Sequence, residues 1–370
     1  MLLEFVDHFI NNKLYIASFL LSFFVTLLST PLVKKMAFKV GALDYPNNRK
    51  VHQEIMPRLG GLAIYLGFFV SCIVFIPMTK LSVGLILGGI IIVILGIIDD
   101  IYNLTPKIKL IGQIIAAITL VFFGFQVQFI NLPFDGTWIL GWLAIPITIL
   151  WIVGVTNSVN LIDGLDGLAA GVSAIATTVI MIIAFMMGND FVLLYCAILL
   201  GAILSFLIFN FYPAKIFMGD TGALFLGFNL AALSILGFKQ VTVVSFIIPI
   251  LVLGVPLSDT FFAIIRRILS HKPISSADKN HLHHCLLRMG LSHRASVLVI
   301  YGISVMFGLC AILLSQSALW LGIIVLCILA LGLQLGAEMI GLINIKEKPM
   351  LSLIKKLRYH FGNALRSKPQ

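Results

Sequence analysis

The 370-residue sequence predicts an all-α fold, a polytopic membrane helix bundle of about eleven transmembrane helices. Three observations predict it. Hydrophobic residues make up 60% of the chain and charged residues only 11%, against about 25% charged in an ordinary soluble domain. The apolar residues are gathered into runs close to the roughly 20 residues that a helix needs to cross hydrocarbon. The cations then obey an alternation: 22 of the 25 Lys and Arg fall in every second connection between those runs or in the tail. Mean hydropathy is +1.09, so lipid is the solvent for most of the chain.

The runs lie near 14–33, 62–78, 81–98, 108–125, 138–156, 168–187, 191–211, 222–238, 241–265, 295–315 and 317–340, with charge, Pro or Gly clusters between most of them. The first is long enough to span and is followed by no small-x-small cleavage site, so it is expected to stay as a helix. The cation-rich segments are 34–61, 99–109, 212–220, 266–294 and the tail after 340, while the opposite side carries only Lys13, Lys80 and Lys239. Positive residues remain cytoplasmic, which predicts the N-terminus outside and the C-terminus inside. Residues 1–345 form the integral membrane domain. Residues 346–370 form a basic cytoplasmic tail, in which Leu353, Leu357 and Phe361 recur every four residues and predict a short helix on the inner leaflet. The formal charge of +10 is thus a topology signal with some attraction to anionic lipid. No base-reading module accompanies it, and no nucleic-acid partner is expected. Cys72, Cys196, Cys310 and Cys327 sit in apolar runs and Cys285 in the polar loop that carries the histidines, so no disulfide framework is expected.

The acids gather on the cation-rich side, although they played no part in choosing it. Asp99 and Asp100 end an apolar run, and adjacent carboxylates repel unless a cation sits between them. A metal- or phosphate-handling pair, a general base and a solvated helix end all fit that pattern. Asn157, Asn160, Asp163 and Asp166 recur every three residues, so neighbours share a helix face, and Gly164 and Gly167 let the backbone turn toward a ligand. Acids at the membrane are functional by default. The turn Met218-Gly-Asp220-Thr-Gly222 delivers another carboxylate just before an apolar run, in a pattern that also serves as an ordinary helix start.

Asp278-Lys-Asn-His281-Leu-His283-His284-Cys285-Leu-Leu-Arg288 places three imidazoles within four residues. It lacks the paired spacing of a structural zinc motif. A cationic cluster for phosphate, reinforced by Lys279 and Arg288, is the other reading. His271 and His293 stand alone and are read as structural. Asp259, inside the ninth run, is read as a buried contact between helices. The segment from Asp44 to Gly61 carries Arg49, Lys50 and Arg58, which either hold a polyanion or serve topology alone.

Together these segments resemble the polyprenyl-phosphate N-acetylhexosamine-1-phosphate transferases, of glycosyltransferase 4 type. The matching pieces are DYPNNRKVHQ…PRLGG, GIIDDIYNLTPKIKLIGQ, NSVNLIDGLDGLAAG, FNFYPAKIFMGDTGALFLG and DKNHLHHCLLRMGLSHRASV, in the family's order. The HLHH segment followed by GLSHR is similar to the branch that uses UDP-GlcNAc and starts teichoic-acid or O-antigen synthesis. The resemblance implies transfer of GlcNAc-1-phosphate from UDP-GlcNAc to undecaprenyl phosphate at the cytoplasmic face, with release of UMP. It implies Mg2+, with Mn2+ as a substitute, held by Asp220 and Asp163. It implies Asp99 and Asp100 as the catalytic pair acting on the lipid phosphate. Asn157, Asn160, Asp163 and Asp166 would line the nucleotide pocket, and Lys50, His281, His283, His284 and Arg288 would hold phosphate or sugar. A homodimer is implied by analogy. Asn103 stands where some members carry an acid. Two other readings are a phospho-MurNAc-pentapeptide transferase of the same superfamily and a nucleotide-sugar or ion-coupled transporter. Transporters, however, tend to place acids near the midplane between repeated halves, and neither feature is seen here.

Overall fold

The computed structural model describes residues 12–45, 55–132, 136–237, 247–271, 273, 278, 280–316 and 332. Lys50, Lys279, the eleventh run at 317–340 (apart from Gly332) and the basic tail lie outside the described residues. Twelve α-helices are described: α1 (Lys13–Val40), α2 (Gly61–Phe75), α3 (Lys80–Tyr102), α4 (Pro106–Phe122), α5 (Ala144–Ile162), α6 (Leu168–Met186), α7 (Asp190–Asn210), α8 (Gly219–Gly237), α9 (Ile247–Val252), α10 (Gly254–Leu269), α11 (Leu282–Arg288) and α12 (His293–Gln316). Strands β1 (Leu43–Asp44) and β2 (Met56–Pro57) pair antiparallel, as do β3 (Phe129–Leu132) and β4 (Gly136–Ile139). Among the described residues, seven helical segments are long and apolar enough to cross a membrane, including α5 with the 3-10 turn at Gly141–Leu143 before it. The protein is a polytopic membrane protein.

The helices hold their backbone polar groups internally, as hydrocarbon requires. Their order in depth follows from burial. In α8 89% of the apolar window is buried, against 28% in α1 and 33% in α12. The bundle is therefore wrapped around α8, with α1 and α12 turning large apolar faces such as Phe24, Leu28, Leu32, Leu309 and Leu313 outward.

Small residues make that packing tight. Gly61 of α2 lies against the backbone of Gly222, Gly96 of α3 against that of Thr221, and Gly227 against that of Thr156 in α5. A side chain at any of the three glycines would overlap main-chain atoms, which cannot rotate away. On α1, Ser18, Ser22, Thr26 and Thr30 form a buried stripe, with Gly67 of α2 seated against Thr26. Close approach of this kind drives helix association where lipid is as apolar as the side chains.

Three expectations are corrected. The fifth run was placed at 138–156, but Trp138 and Ile139 belong to β4 and the helix runs from Ala144 to Ile162. The ninth, 241–265, is not one helix. The described part breaks at Leu253 into α9 and α10, and Pro256 at the start of α10 has no N–H to continue the ladder. The histidine segment is not a loop, because Leu282–Arg288 is helical and Cys285 is buried within it.

Replacing Gly61 by Val is expected to destabilise the purified protein by about 1–3 kcal/mol or more, read as an earlier melting transition and loss of a monodisperse size-exclusion peak. Gly302→Ala, at a site where an added Cβ meets nothing within 4 Å, is expected to leave both unchanged.

Candidate active site

Because consecutive helices run in opposite directions, the C-terminal ends of α3, α5 and α10 share one end of the bundle with the N-terminal ends of α4, α8 and α12. That end collects the polar motifs. Its geometry begins with the first turn of α8, whose N–H groups have no partner within their own helix. Asp100, at the end of α3 and only 2% exposed, supplies the acceptors. Its Oδ1 accepts from the Asp220 N–H at 2.9 Å, and its Oδ2 accepts from the Thr221 N–H at 3.0 Å and hydroxyl at 2.6 Å. Gly219 precedes them with φ +71°, and a Cβ there would collide with Arg58 and the Asp100 carboxylate.

Asp99 points elsewhere. Its Oδ1 accepts from the Leu104 N–H at 2.7 Å, and its Oδ2 lies 2.6 Å from Lys109 Nζ. The same ammonium is 3.3 Å from Asp220 Oδ2, while Asn160 Nδ2 donates to Asp220 Oδ1 at 2.6 Å. Lys109 therefore bridges the motifs at 99 and 220. Arg58 closes the outer side: its guanidinium donates to the carbonyls of Asp99 and Asp100 at 3.0 Å and to Asn103 Oδ1 at 2.6 Å. It is held there because the segment 57–61 hydrogen-bonds to Phe217 and Met218.

The four-member polar series on α5 divides. Asn157 forms a reciprocal amide pair with Gln113 of α4, at 2.6 and 3.3 Å, so both its amide groups are spent on helix–helix contact. Asn160 reaches Asp220. Asp163 caps α5, and among the described residues no hydrogen bond engages its carboxylate. Burial, then the nearby negative charges of Asp220, Asp100 and Asp166, pushes its pKa up to about 8. The carboxylate of Asp166 accepts from the Ala214 N–H and its own N–H donates to His293, each at 3.0 Å, so Asp166 pins the connection between α7 and α8. His293, read as structural from the sequence, has that contact.

Asp259 organises the histidine segment. Its Oδ2 lies 2.8 Å from His281 Nδ1, and its Oδ1 accepts from the Leu282 N–H at 2.8 Å, which satisfies the start of α11. A carboxylate only accepts, so the His281 proton sits on Nδ1. Arg266 clamps Asp278 at 2.6 Å. Burial works against ionisation of Asp278, but the Arg266 guanidinium and the Asn280 N–H more than offset it and hold its carboxyl below the usual range. The ring of His283 lies directly over Gly164, which joins this segment to the glycine-rich turn after α5. Burial and the adjacent His284 push His283 down to about 3, and burial and His281 lower His284. Burial thus works against the charged form of both imidazoles. Arg288 is exposed at the end of α11, its guanidinium donating to Cys285 Sγ at 3.0 Å.

Sequence reading missed Lys109 and Gln113; for Asp259 it gave the buried contact between helices, and the structure adds the partner, the start of α11. Lys109 and Gln113 lie one turn apart in a mostly apolar helix, facing Asp99 and Asn157. That i, i+4 polar pair was the available signal.

The model of glycosyl transferase family 4 matches residues 82–238, the stretch from α3 to just past α8. The chain is 48% identical over 345 residues to a Bacillus subtilis protein named as a probable undecaprenyl-phosphate N-acetylglucosaminyl 1-phosphate transferase, covering 92% of this chain and 96% of the relative. It is 36% identical over 310 residues to the decaprenyl-phosphate N-acetylglucosaminephosphotransferase of Mycolicibacterium smegmatis, covering 75% and 76%. It is 32% identical over 330 residues to the phospho-N-acetylmuramoyl-pentapeptide-transferase of Halalkalibacterium halodurans, covering 82% and 98%. A bundle built around α8, with its acids joined by Lys109 at one end, and a likeness that runs through almost the whole chain have one explanation: the chain belongs to glycosyl transferase family 4, among the polyprenyl-phosphate N-acetylhexosamine-1-phosphate transferases.

Proposed function

We propose that this end of the bundle faces the cytoplasm and transfers GlcNAc-1-phosphate from UDP-GlcNAc to undecaprenyl phosphate, releasing UMP, as the first step of a surface-polysaccharide pathway such as teichoic acid. The observation that carries the reading is the Asp99–Lys109–Asp220 bridge beside the unengaged carboxylate of Asp163. It gathers carboxylates and an exchangeable cation where apolar helices meet the aqueous boundary, the place where a lipid phosphate and a soluble nucleotide can meet. Among the described residues every Lys and Arg except Lys13 and Lys80 sits at this end. That asymmetry supports an outside N-terminus, a cytoplasmic C-terminus and eleven spans, with 317–340 as the last.

The donor set suits a hard divalent cation. Asp163 and Asp220 offer carboxylate oxygens, and no group of three His, Cys, Asp or Glu side chains capable of holding a metal occurs among the described residues. Two carboxylates fit Mg2+, which keeps waters and takes substrate phosphate oxygens as further ligands; Mn2+ accepts the same oxygens. When bound, Mg2+ neutralises the diphosphate and so eases departure of UMP. The chain's own groups do the remaining work. Asp100, with both oxygens committed to α8, positions Asp220. Asp99, held by one ion pair and one amide, is the group of the pair that can orient the lipid phosphate or take its proton. Lys109 exchanges part of its carboxylate contact for phosphate, and His283 and His284 offer directional hydrogen bonds. UDP-GlcNAc is the donor favoured by the branch, and a homodimer is the expected assembly.

Purified protein given labelled UDP-GlcNAc, undecaprenyl phosphate and Mg2+ is expected to yield UMP and lipid-linked GlcNAc in equal amounts, and far less product with UDP-MurNAc-pentapeptide. Product only from the latter overturns the donor assignment, and solute uptake without product favours a transporter. Asp163 would have to give up its proton to hold Mg2+, so Mg2+-dependent thermal stabilisation is expected to strengthen as pH rises through about 8. In Asp163→Asn that pH dependence is expected to vanish. His283 has a folded pKa below its ordinary value, so its contribution to stability is complete above about pH 6.5 and fades as pH falls toward 3. Melting curves of wild type and His283→Gln are expected to differ most above pH 6.5 and to converge on acidification.

A further inference from the structure

Asp163 and Asp220 reach the site from two different connections, one between α5 and α6 and the other between α7 and α8. Groups that share a cation need a fixed spacing, so the two connections must be held at a set height. The start of α12 touches both. His293 Nε2 accepts from the Asp166 N–H at 3.0 Å in the first connection. The same ring stacks on Tyr212 of the second, with centroids 4.4 Å apart. Asp166 makes the matching link, its carboxylate accepting from the Ala214 N–H at 3.0 Å. Tyr301, two turns further along α12, donates to the Gly167 carbonyl at 2.6 Å. Arg294 donates to the Tyr212 carbonyl at 3.2 Å, with its guanidinium 5.5 Å from the centre of the Tyr212 ring.

The helix that carries His293 does not need its side chain. Ser292 caps α12, its Oγ accepting from the Ala295 N–H at 3.2 Å. Nor does the contact satisfy the imidazole. A ring nitrogen that accepts carries no proton, so the proton sits on Nδ1, which is buried and without a partner among the described residues. A buried donor left unmet is destabilising, and such a group in a native fold calls for a reason other than stability. We propose that His293 is a positioning residue for the reaction: it fixes the turn that presents Asp163 to Asp220, with Tyr301 as the second point of attachment. The inference rests on the reading of Asp163 and Asp220 as Mg2+ ligands for what the positioning serves. Among the described residues no hydrogen bond engages the Asp163 carboxylate, so the backbone of the turn sets its direction. A metal ligand is only as well aimed as the groups behind it, and here those groups belong to α12.

The test uses the full chain in lipid nanodiscs. His293→Phe keeps a ring against Tyr212 and removes the acceptor, whereas His293→Gln supplies an acceptor near the place of Nε2 without the ring. The Mg2+ concentration that gives half of the thermal stabilisation is expected to rise about tenfold or more in His293→Phe, the scale of a lost outer-shell partner. In His293→Gln it is expected to stay within about threefold of wild type. Hydrogen exchange at the Asp166 amide is expected to quicken in the first variant and not in the second. In the assay, kcat at saturating Mg2+ and KM for the polyprenyl phosphate are expected to stay within about threefold in both. A merely structural role would lower the melting temperature without Mg2+ and leave the Mg2+ midpoint where it is. That outcome overturns the proposal, as does an equal rise of the midpoint in both variants. If His293→Phe yields no monodisperse protein, Tyr301→Phe, which removes only the hydroxyl on Gly167, is expected to raise the midpoint, and no rise overturns the proposal. Should Mg2+ fail to stabilise even the wild type, the Mg2+ reading fails, while exchange at the Asp166 amide still decides whether His293 holds the turn.

Discussion

The structure depends on one contact above the others: the Asp100 carboxylate against the first turn of α8. The first N–H groups of a helix have no partner within it, and where they are buried, as at Thr221, another element must bring acceptors. Asp100 does this from the end of α3 with both of its oxygens. Once α8 is fixed there, Asp220 is directed back toward Lys109 and Asn160 and away from the lipid. The sequence Gly219-Asp-Thr-Gly222 then has a reason at each position. The first glycine takes a positive φ beside Asp100, Asp220 faces the site, Thr221 completes the cap, and Gly222 admits the backbone of Gly61.

A second tier keeps these groups in register. Gln113 and Lys109 lie one turn apart on α4, while Asn157 and Asn160 lie one turn apart on α5. The reciprocal Gln113–Asn157 amide pair sets how α4 lies on α5, and that setting brings Lys109 within reach of Asp99 and Asp220. A buried amide pair is useful only if both partners are satisfied, so it fixes the relative height of the two helices more sharply than apolar packing would. Across the site, Asp259 and Arg266 do the equivalent for α11, and His283 over Gly164 links the two halves.

Much of this was legible in the sequence, for identifiable physical reasons. Span positions follow from hydropathy because hydrocarbon tolerates few polar groups, and the gathering of Asp99, Asp163 and Asp220 at one end follows from alternating spans. The break at Leu253 was not legible, because an apolar run reads the same whether one helix or two cross it. Neither was the helical state of the histidine segment, which depends on Asp259 some twenty residues earlier capping Leu282. Lys109 was counted as a topology charge, because its value lies in two carboxylates 10 and 111 residues away in the chain. What composition and spacing report is which end of the bundle a group occupies. Which partner it meets there is decided by packing across the full fold.

That distinction bears on how the acids divide their roles. In a site of low dielectric, a carboxylate whose oxygens already accept a full set of backbone donors gains little from a new partner and loses much by leaving its old ones. Asp100 is of this kind, both its oxygens being tied to the groups that start α8, while Asp166 and Asp259 each accept one main-chain N–H, from Ala214 and Leu282. Asp220 is held by side chains alone, Asp163 by nothing described, and Asp99 by one amide and the flexible Lys109. Side-chain partners can move when an anionic substrate brings its own charge, and Lys109 is the cation best placed to do so. The fold therefore separates the two duties by the kind of donor each carboxylate faces. A full set of backbone donors ties Asp100 to the start of α8, whereas the side-chain donors to Asp220, those of Lys109 and Asn160, can move.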